Sequence, residues 1–528
     1  MIPTDDTTPR PSRPPAIPAA GTVATGLDHN PGRVPDPGSG RARAVALVVL
    51  VVFFGVTFIL QQLASSGPER PSNESAVITP PGNDPDVWVA KLAVKFSNLG
   101  MFKDQGSPAP GAAMMPQIDA AARTPIDRFR AAIIAAEVIG AEEGLARLDR
   151  LAESLGQGPL ASIESPTEPG PDQAEVDTPL PPTLAADMAT LEAVYRGTAD
   201  SLTVEQQDGL VARHGWFGRL ALTHGLDNAD PRRDPLVSGG GTLLAVSIVL
   251  GAGFFLLLVA GLVLCIVVIV RIISGKMTRR FTPPAIGGSV YLETAAVFVV
   301  AFVVFKVMLG LLGSAIGTAT GPMGAVVLSA QWVLLLAALW PLVRGVGFTS
   351  MRRAMGWRAD RGVWREVWAG VVGYIAGIPV LVGAVVTALV MVLLWSAIRQ
   401  ALGGDPSPPP TNPVIDVIAG ADPWVLVAFV VLATLWAPIV EETIFRGCLY
   451  RHMRSRTGPI IAGVLSAAVF GGMHGYAGPL LLPVTALGFV FAMMREWRGS
   501  LIAPVTAHLI HNAAVATILV TFVTLLRD

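Results

Sequence analysis

The sequence predicts an all-α polytopic membrane protein with about nine transmembrane helices and a small helical extramembrane domain. Hydrophobic residues make up 52% of its 528 residues, and charged residues make up only 15%. The mean hydropathy of +0.56 is too high for an ordinary soluble protein. The apolar runs lack the alternation of barrel strands, and lipid offers no partner for unpaired backbone groups. The spans are therefore expected to be helices.

Charge and cysteine content narrow the class of protein further. The formal net charge of -1 provides no basic excess to neutralise phosphates, so nucleic acid is not an expected partner. Cys265 and Cys448 belong to different apolar segments and form neither a disulfide framework nor a CxxC zinc site. Only five of the 38 basic residues are lysine, and Ala, Gly, Val and Pro are abundant. This composition is typical of a GC-rich bacterial genome, so we expect the bacterial inner (cytoplasmic) membrane.

The N-terminal half divides into a tail, an anchor and a polar region. Residues 1–42 are rich in Pro, Gly, Asp and Arg, which predicts a disordered cytoplasmic tail. Residues 43–63 form an apolar run that follows too long a positive region for a cleavable signal, so an uncleaved signal anchor is expected. Residues 64–240 are predicted to form an extracytoplasmic helical region with Pro-rich linkers and a helical hairpin over 125–155. This region shows no catalytic constellation, and we expect it to bind a partner that is still unknown.

The C-terminal half consists of apolar segments, predicted as transmembrane helices over 241–348 and a further membrane core over 349–528. Eight spans are expected near 242–270, 289–314, 322–343, 367–397, 424–446, 458–474, 479–494 and 500–525. Arginines cluster in every second loop. Under the positive-inside rule, the N-terminus is cytoplasmic, whereas residues 66–238 and the C-terminus are external.

Three motifs place ionisable side chains within or at the ends of these apolar segments. They are Glu441-Glu442-Thr443-Ile444-Phe445-Arg446, Phe470-Gly471-Gly472-Met473-His474, and His508-Leu509-Ile510-His511-Asn512. An unpaired charge in hydrocarbon costs several kcal/mol, so such residues indicate a functional site.

The first motif contains two carboxylates with different expected roles. Glu441 and Glu442 are adjacent, so on a helix their side chains point about 100° apart. Glu442 and Arg446 have the i,i+4 spacing at which a carboxylate and a guanidinium pair. This leaves Glu441 free to face a cavity and accept a proton from water. The alternative is a pair of glutamates solvated at the membrane boundary.

The other two motifs supply imidazoles and a carboxamide. His474 ends its span and is either a site residue or an interfacial histidine. His508 and Asn512 share one helix face, so they can donate hydrogen bonds to a developing oxyanion or join helices as polar pairs. His511 lies about 80° from the mean direction of that pair and is expected to take no part.

The motifs EExxxR, FxxxH and HxxxN occur in this order along the last four spans without substitution. In this respect the chain resembles the CPBP family of intramembrane proteases, which includes the CAAX prenyl endopeptidases and the bacterial Abi-type proteins. The resemblance covers roughly residues 350–525 and implies a protease core within residues 349–528.

The resemblance implies a role for each matching residue. Glu441 would be the general base that activates water, and His474 would help to hold that water. His508 and Asn512 would stabilise the oxyanion. The supporting residues would be Glu442 and Arg446, as a structural pair, and Phe470, packed beside the site.

The resulting hypothesis is an intramembrane endopeptidase acting on membrane-associated proteins or peptides in the lipid bilayer. A mechanism without a cofactor is favoured, although Glu441, His474 and His508 are also a residue set that can ligate zinc. The chain has no HExxH motif. Two alternatives stay open: a proton-coupled transporter that uses the same residues as a relay, and a catalytically silent membrane scaffold.

Overall fold

The structure is a computed structural model that describes residues 34–65, 85–99, 109–155, 182–316, 321–403, 422–476 and 478–526. These residues form helices joined by turns, with one isolated backbone bridge between Pro35 and Ala285. The helices are α1 (Gly40–Ser65), α2 (Pro85–Ser97), α3 (Met115–Ala121), α4 (Pro125–Val138), α5 (Ala141–Ser154), α6 (Pro182–Tyr195), α7 (Val204–His214), α8 (Trp216–Leu222), α9 (Asp234–Val237), α10 (Gly240–Ile273), α11 (Val290–Ile316), α12 (Gly321–Val343), α13 (Phe348–Met355), α14 (Val363–Ala401), α15 (Pro423–Arg454), α16 (Pro459–Gly472), α17 (Gly478–Arg498) and α18 (Ile502–Leu526). The predicted all-α polytopic architecture is confirmed.

The number of full spans differs from the prediction by one. Eight helices of the described residues are long and apolar enough to cross a membrane, namely α1, α10, α11, α12, α14, α15, α17 and α18. At 458–474, where the sequence predicts another span, α16 has only 14 residues. It is about 21 Å long at 1.5 Å per residue, whereas a bilayer has a hydrocarbon core of about 30 Å.

α16 and α17 form an antiparallel hairpin. Gly463 in α16 lies against Phe489 and Met493, and Gly471 lies against Thr485. Because neither glycine has a side chain, the two helices approach closely along their whole contact. This close packing holds the end of α16 beside α17.

The arginine-bearing segments gather at one end of the helices, which we name the arginine-rich face. It comprises residues 274–289, 344–362, 455–458 and 499–501. There Arg498 Nη2 lies 2.6 Å from Glu366 Oε1 and joins α17 to α14. At the opposite end the Lys91 ammonium donates to the Leu526 carbonyl across 3.0 Å, so α2 sits on the last turn of α18. These contacts agree with the predicted alternation of loops; which face is cytoplasmic stays a prediction.

The end of the predicted disordered tail requires correction. Asp36 pairs with Arg451 Nη2 at 2.7 Å, and the Pro37 carbonyl accepts a hydrogen bond from the Ser289 N–H at 3.0 Å. Residues 34–39 therefore pack on the arginine-rich face, and α1 begins at Gly40. Both partners are hundreds of residues away in the chain, so local composition did not reveal them. Residues 1–33 lie outside the described part of the chain.

The helices α2 to α9 form the extramembrane domain, with a hydrophobic core of their own. The predicted hairpin over 125–155 is present as α4 and α5, and it breaks at Gly140, whose φ of 144° favours glycine. Buried Glu137 accepts hydrogen bonds from His224 at 2.7 Å and from Arg233 at 2.6 Å. Burial raises the pKa of the Glu137 carboxyl, but these two partners outweigh burial and lower it. Most of the predicted Pro-rich linkers lie outside the described residues.

Candidate active site

The three sequence motifs meet inside the helix bundle, around the ring of Phe470 on α16. The ring centroid of Phe470 lies 5.3 Å from that of Phe445 on α15, 4.6 Å from that of His474 and 6.0 Å from that of His508 on α18. Phe470 is itself buried. It therefore joins residues of all three motifs in one cluster.

Glu442 and Arg446 form the pair that their i,i+4 spacing predicts. Arg446 Nη1 donates to Glu442 Oε1 across 2.9 Å, and both side chains are fully buried. At this depth each charge is compensated by the other, because either one alone would be buried without water or a counter-ion.

The Arg446 guanidinium is also held by aromatic rings and by a backbone carbonyl. Its central carbon lies 4.3 Å from the Phe470 centroid and 5.4 Å from the Phe491 centroid, distances typical of cation–π contacts. Its Nη2 donates to the Gly488 carbonyl across 2.9 Å. A Cβ on Gly488 would lie 2.9 Å from that nitrogen and 3.0 Å from Phe470, so this position has no room for a side chain.

His508 is oriented by the same glutamate that holds Arg446. Its Nδ1 lies 3.0 Å from Glu442 Oε1, and because a carboxylate oxygen only accepts, Nδ1 must carry the proton. The Phe491 ring stacks on the imidazole with centroids 5.0 Å apart. The sequence assigned Glu442 to Arg446 alone. In the structure one carboxylate oxygen serves both side chains and fixes the His508 tautomer.

Glu441 faces the other nitrogen of this imidazole. Its Oε2 lies 3.9 Å from His508 Nε2, and its side chain is 16% exposed. Among the described residues, this oxygen has no hydrogen-bond partner. Glu441 and Glu442 thus flank His508 on its two nitrogens, in line with the different roles expected of them.

His474 follows the last turn of α16 and is exposed. Its Nδ1 lies 2.8 Å from the Phe470 carbonyl, so Nδ1 donates and Nε2 keeps a lone pair. It also lies within electrostatic range of both Glu441 and His508. His474 therefore borders the Glu441–His508 pair.

Asn512 contacts a backbone carbonyl of α15. Its Nδ2 donates to the Ala433 carbonyl across 2.7 Å. Residues Leu432–Trp436 are π-helical, and the Ala437 N–H bonds to Leu432 rather than to Ala433. The π-helical donor to Ala433 would be residue 438, a proline without an N–H. Asn512 takes the place of that missing donor.

A second π-helical segment, Glu442–Leu449, carries the buried part of the first motif. Such segments are rare and occur frequently at functional sites. All eight of its residues are buried. The change from α-helical to π-helical hydrogen bonding therefore occurs in the part of α15 that carries Glu442 and Arg446.

His511 points to another neighbour, as its offset from His508 and Asn512 predicts. Its Nδ1 lies 3.3 Å from the Tyr374 hydroxyl on α14. Within the described ranges, no three or more His, Cys, Asp or Glu side chains are grouped so that they could hold a metal ion. Glu441, His474 and His508 are thus not grouped in this way in the described structure.

Sequence reasoning missed three parts of the site, namely the Phe491 ring, which contacts His508 and Arg446, and two backbone groups. The Gly488 carbonyl supports Arg446, and the Ala433 carbonyl holds Asn512. Glycine and alanine are common in apolar helices, so nothing in the sequence marks Gly488. Pro438, five residues after Ala433, is the signal that could have pointed to an unpaired carbonyl.

Fold and site together define a polytopic membrane protein with a buried carboxylate, imidazole and guanidinium centre. Residues 423–514 match the family model described as "Type II CAAX prenyl endopeptidase Rce1-like", so this part of the chain is similar to that family. It begins with α15, ends within α18 and contains all three motifs. The resemblance inferred from the motifs is confirmed there, over a shorter range than 350–525.

Two relatives from Bacillus subtilis (strain 168) are similar to part of the chain. The protein named "Putative membrane peptidase YdiL" is 33% identical over 105 residues, which are 20% of this chain and 41% of that protein. "Uncharacterized protein YpbD" is 34% identical over 87 residues, 16% of this chain and 43% of that protein. The chain thus spans about two-fifths of the length of these curated relatives. No solved structure matches it with comparable significance.

Proposed function

We propose that this protein is an intramembrane endopeptidase that hydrolyses peptide bonds of membrane-associated substrates. One observation carries the proposal: within the Rce1-like part of the chain, Glu441 Oε2 lacks a hydrogen-bond partner among the described residues and lies 3.9 Å from His508 Nε2. A structural carboxylate at this depth would be paired, as Glu442 is through its Oε1 with Arg446 and His508. An unpaired one beside an oriented imidazole suits proton transfer.

Glu441 is the proposed general base. A single water molecule can hydrogen-bond to both Glu441 Oε2 and His508 Nε2 across their separation of 3.9 Å. His474 offers its Nε2 lone pair as a further acceptor for that water. Glu441 removes a proton from the water as its oxygen attacks the substrate carbonyl.

His508 and Asn512 are the proposed oxyanion stabilisers. His508 already carries a proton on Nδ1, so it must also be protonated on Nε2 to donate to the oxyanion. The carboxylates of Glu441 and Glu442 lie 3.9 Å and 3.0 Å from its two ring nitrogens. Asn512 has a second N–H beside the one that it donates to Ala433.

The proposed reaction balances with these residues alone. The water oxygen bonds to the carbonyl carbon, and the carbonyl electron pair moves to the oxygen that His508 stabilises. When that pair returns, the C–N bond breaks and the Glu441 proton passes to the leaving nitrogen. A carboxylic acid and an amine are released, and the acid passes its proton to the amine, which gives a carboxylate and an ammonium. Glu441 is again ionised for another turnover.

The function can be tested in cells through the termini of membrane proteins. Cells in which Glu441→Gln replaces the native residue should retain full-length forms of proteins that wild-type cells trim. Mass spectrometry of terminal peptides from membrane fractions would detect the difference. Identical termini in the two strains would contradict a peptidase and favour a scaffold.

We also propose that no metal takes part. The proposal rests on the chemistry of Glu441, which can accept the proton of water without a metal. Hydrolysis by the purified protein should therefore continue after exhaustive chelation at neutral pH. If activity disappeared and zinc alone restored it, the metal-free mechanism would be wrong.

The arginine-rich face is proposed to be cytoplasmic in a bacterial inner membrane, which makes the extramembrane domain external. Ser201, in the extramembrane domain, and Ser350, on α13, are both exposed. In a Cys265→Ala background, Ser201→Cys should react with an impermeant thiol reagent on intact cells and Ser350→Cys should not. Cys448 is fully buried and can remain. The reverse labelling pattern would overturn the orientation.

A further inference from the structure

Two cavities of opposite character adjoin on the arginine-rich face, and Arg358 borders both. The apolar cavity has a volume of about 430 Å³. Apart from Arg352 and Arg358, its lining is hydrophobic: Phe348, Met351, Met355, Trp357, Ala359, Val363 and Ile502. The polar cavity, of about 280 Å³, is lined by Arg280, Arg358, Arg361 and Arg498 with Asp360, Glu366 and Ser500.

The polar cavity carries unbalanced positive charge. Its four arginines face two carboxylates, an excess of two positive charges. Glu366 is engaged by Arg498 at 2.6 Å, and Asp360 lies 3.4 Å from Arg358. No carboxylate of the described residues forms a salt bridge with Arg280 or Arg361.

Arg280 in particular is poised to bind an anion. Its Nε is buried and has no hydrogen-bond partner in the described part of the chain. Arg361 and Arg498 lie close enough for their charges to repel that of Arg280. A phosphate group would relieve the repulsion and can accept paired hydrogen bonds from guanidinium groups.

The apolar cavity lies at the edge of the membrane core and opens outward. Phe348 and Val363 are 61% and 55% exposed, and both begin helices on the arginine-rich face. Beside them on α14, Trp364 is 83% exposed and Trp368 is 67% exposed. Exposed tryptophans next to arginines are typical of the boundary between lipid headgroups and acyl chains.

We propose that the two cavities together bind one anionic phospholipid. The phosphate of its headgroup lies among Arg280, Arg358 and Arg361, and an acyl chain lies in the apolar cavity. The ligand must be amphiphilic because Arg358 joins a cationic cavity to a hydrophobic one. Basic pockets at a membrane boundary have this preference for anionic headgroups.

The site also adjoins the helices that carry Glu441 and His508. Trp357 Nε1 donates to Thr443 Oγ1 on α15 across 3.0 Å. The Leu501 N–H, just before α18, donates to the Gly356 carbonyl across 2.8 Å. A bound lipid would therefore stabilise the segment that contacts α15 at Thr443 and the chain at Leu501, just before α18.

Lipid titration of the full-length protein tests the proposal without any need for activity. Protein in a neutral detergent is heated with increasing dioleoyl phosphatidylglycerol or dioleoyl phosphatidylcholine, and its Tm is followed. The Tm should rise saturably with the anionic lipid only, because a ligand that binds the folded state stabilises it. An equal rise with both lipids would overturn the proposal.

Matched arginine variants separate the cavity from general electrostatic attraction. Arg280→Gln with Arg361→Gln should weaken the apparent affinity for phosphatidylglycerol at least about tenfold. Arg353→Gln removes an exposed arginine of α13 that lines neither cavity, and it should change the affinity less than about twofold. If the double variant does not fold, Arg361→Gln alone, at an exposed position, must still weaken binding. Equal effects of Arg353→Gln and Arg361→Gln would contradict the site.

Two further probes distinguish a lipid from other anions. Inorganic phosphate and an acidic peptide lack an acyl chain, so neither should reproduce the Tm rise at the same concentration. If inorganic phosphate did so, the arginines would form a simple anion site. If the peptide did so, the surface would bind a protein. Either result would overturn the lipid assignment, and neither would affect the proposed peptidase function.

Discussion

Replacing Glu441 with glutamine is expected to lower the rate of peptide hydrolysis at least about a hundredfold, the usual scale for loss of a general base. Glutamine keeps the size of the side chain but cannot accept the proton of the attacking water. Because Glu441 Oε2 has no hydrogen-bond partner among the described residues, the change disrupts no existing contact of that atom. Single-turnover cleavage of a membrane-peptide substrate by protein in detergent gives the measurement.

Glu293→Gln is the matched control for this experiment. Glu293 is also a buried carboxylate in a membrane helix, and it accepts hydrogen bonds from Ser289 Oγ at 2.6 Å and Trp340 Nε1 at 3.0 Å. Glutamine can accept from Trp340 Nε1 through its amide oxygen and donate to Ser289 Oγ through its amide nitrogen. It loses only the 3.4 Å ion pair with the partly exposed Arg344, so activity should be preserved. Near-normal cleavage by Glu441→Gln would show that another group is the base. A transporter or scaffold would show no cleavage in any variant.

Replacing Arg446 with alanine is expected to reduce the free energy of unfolding by about 3–5 kcal/mol, the cost of breaking a buried ion pair. The change leaves the fully buried Glu442 carboxylate without its guanidinium partner. It also removes a donor from the Gly488 carbonyl and a cation from between Phe470 and Phe491. Denaturation in mixed micelles, followed by tryptophan fluorescence, measures the loss.

A double variant shows whether the charge left behind causes this loss. Glu442→Gln combined with Arg446→Met removes both charges and keeps similar volumes, so it should recover part of the lost stability. It should remain inactive, since Glu442 no longer holds His508 with a charged oxygen. Wild-type stability of Arg446→Ala would instead mean that the buried pair contributes little.

Local spacing was sufficient to predict part of this site. The i,i+4 rule paired Glu442 with Arg446, and the angle between successive residues separated Glu441 from Glu442. The same geometry set His511 apart from His508. Hydropathy located the apolar helices, and the arginine clusters in every second loop predicted which loops share a side of the membrane. Both signals are carried by contiguous residues.

The remainder depends on contacts between distant segments. That one oxygen of Glu442 serves both Arg446 and His508 follows from the packing of α15 against α18, which no local pattern encodes. The contact of Asn512 with Ala433 follows from a π-helical register next to Pro438. Residues 34–39 were assigned to a disordered tail from their composition, which does not reveal contacts with Arg451 and Ser289.

The short span α16 was also not foreseen, because its apolar run continues to residue 474 without a break in hydropathy. The helix ends at Gly472, and Gly475 adopts a φ of 80° that favours glycine. The chain thus turns before it reaches the length of a full span. Neither the spacing of apolar residues nor the hydropathy could show at which residue α16 ends.

The shortness of α16 has a consequence for the hydration of the membrane interior. A helix of about 21 Å in a hydrocarbon core of about 30 Å leaves its last turn roughly 9 Å below the surface. Non-helical backbone at such depth persists only where protein covers it or water reaches it, and His474 in this turn is exposed. We therefore expect a local funnel of solvent, or a dimple in the bilayer, above His474. Such a funnel would deliver the second reactant of hydrolysis to a site that lipid would otherwise keep dry.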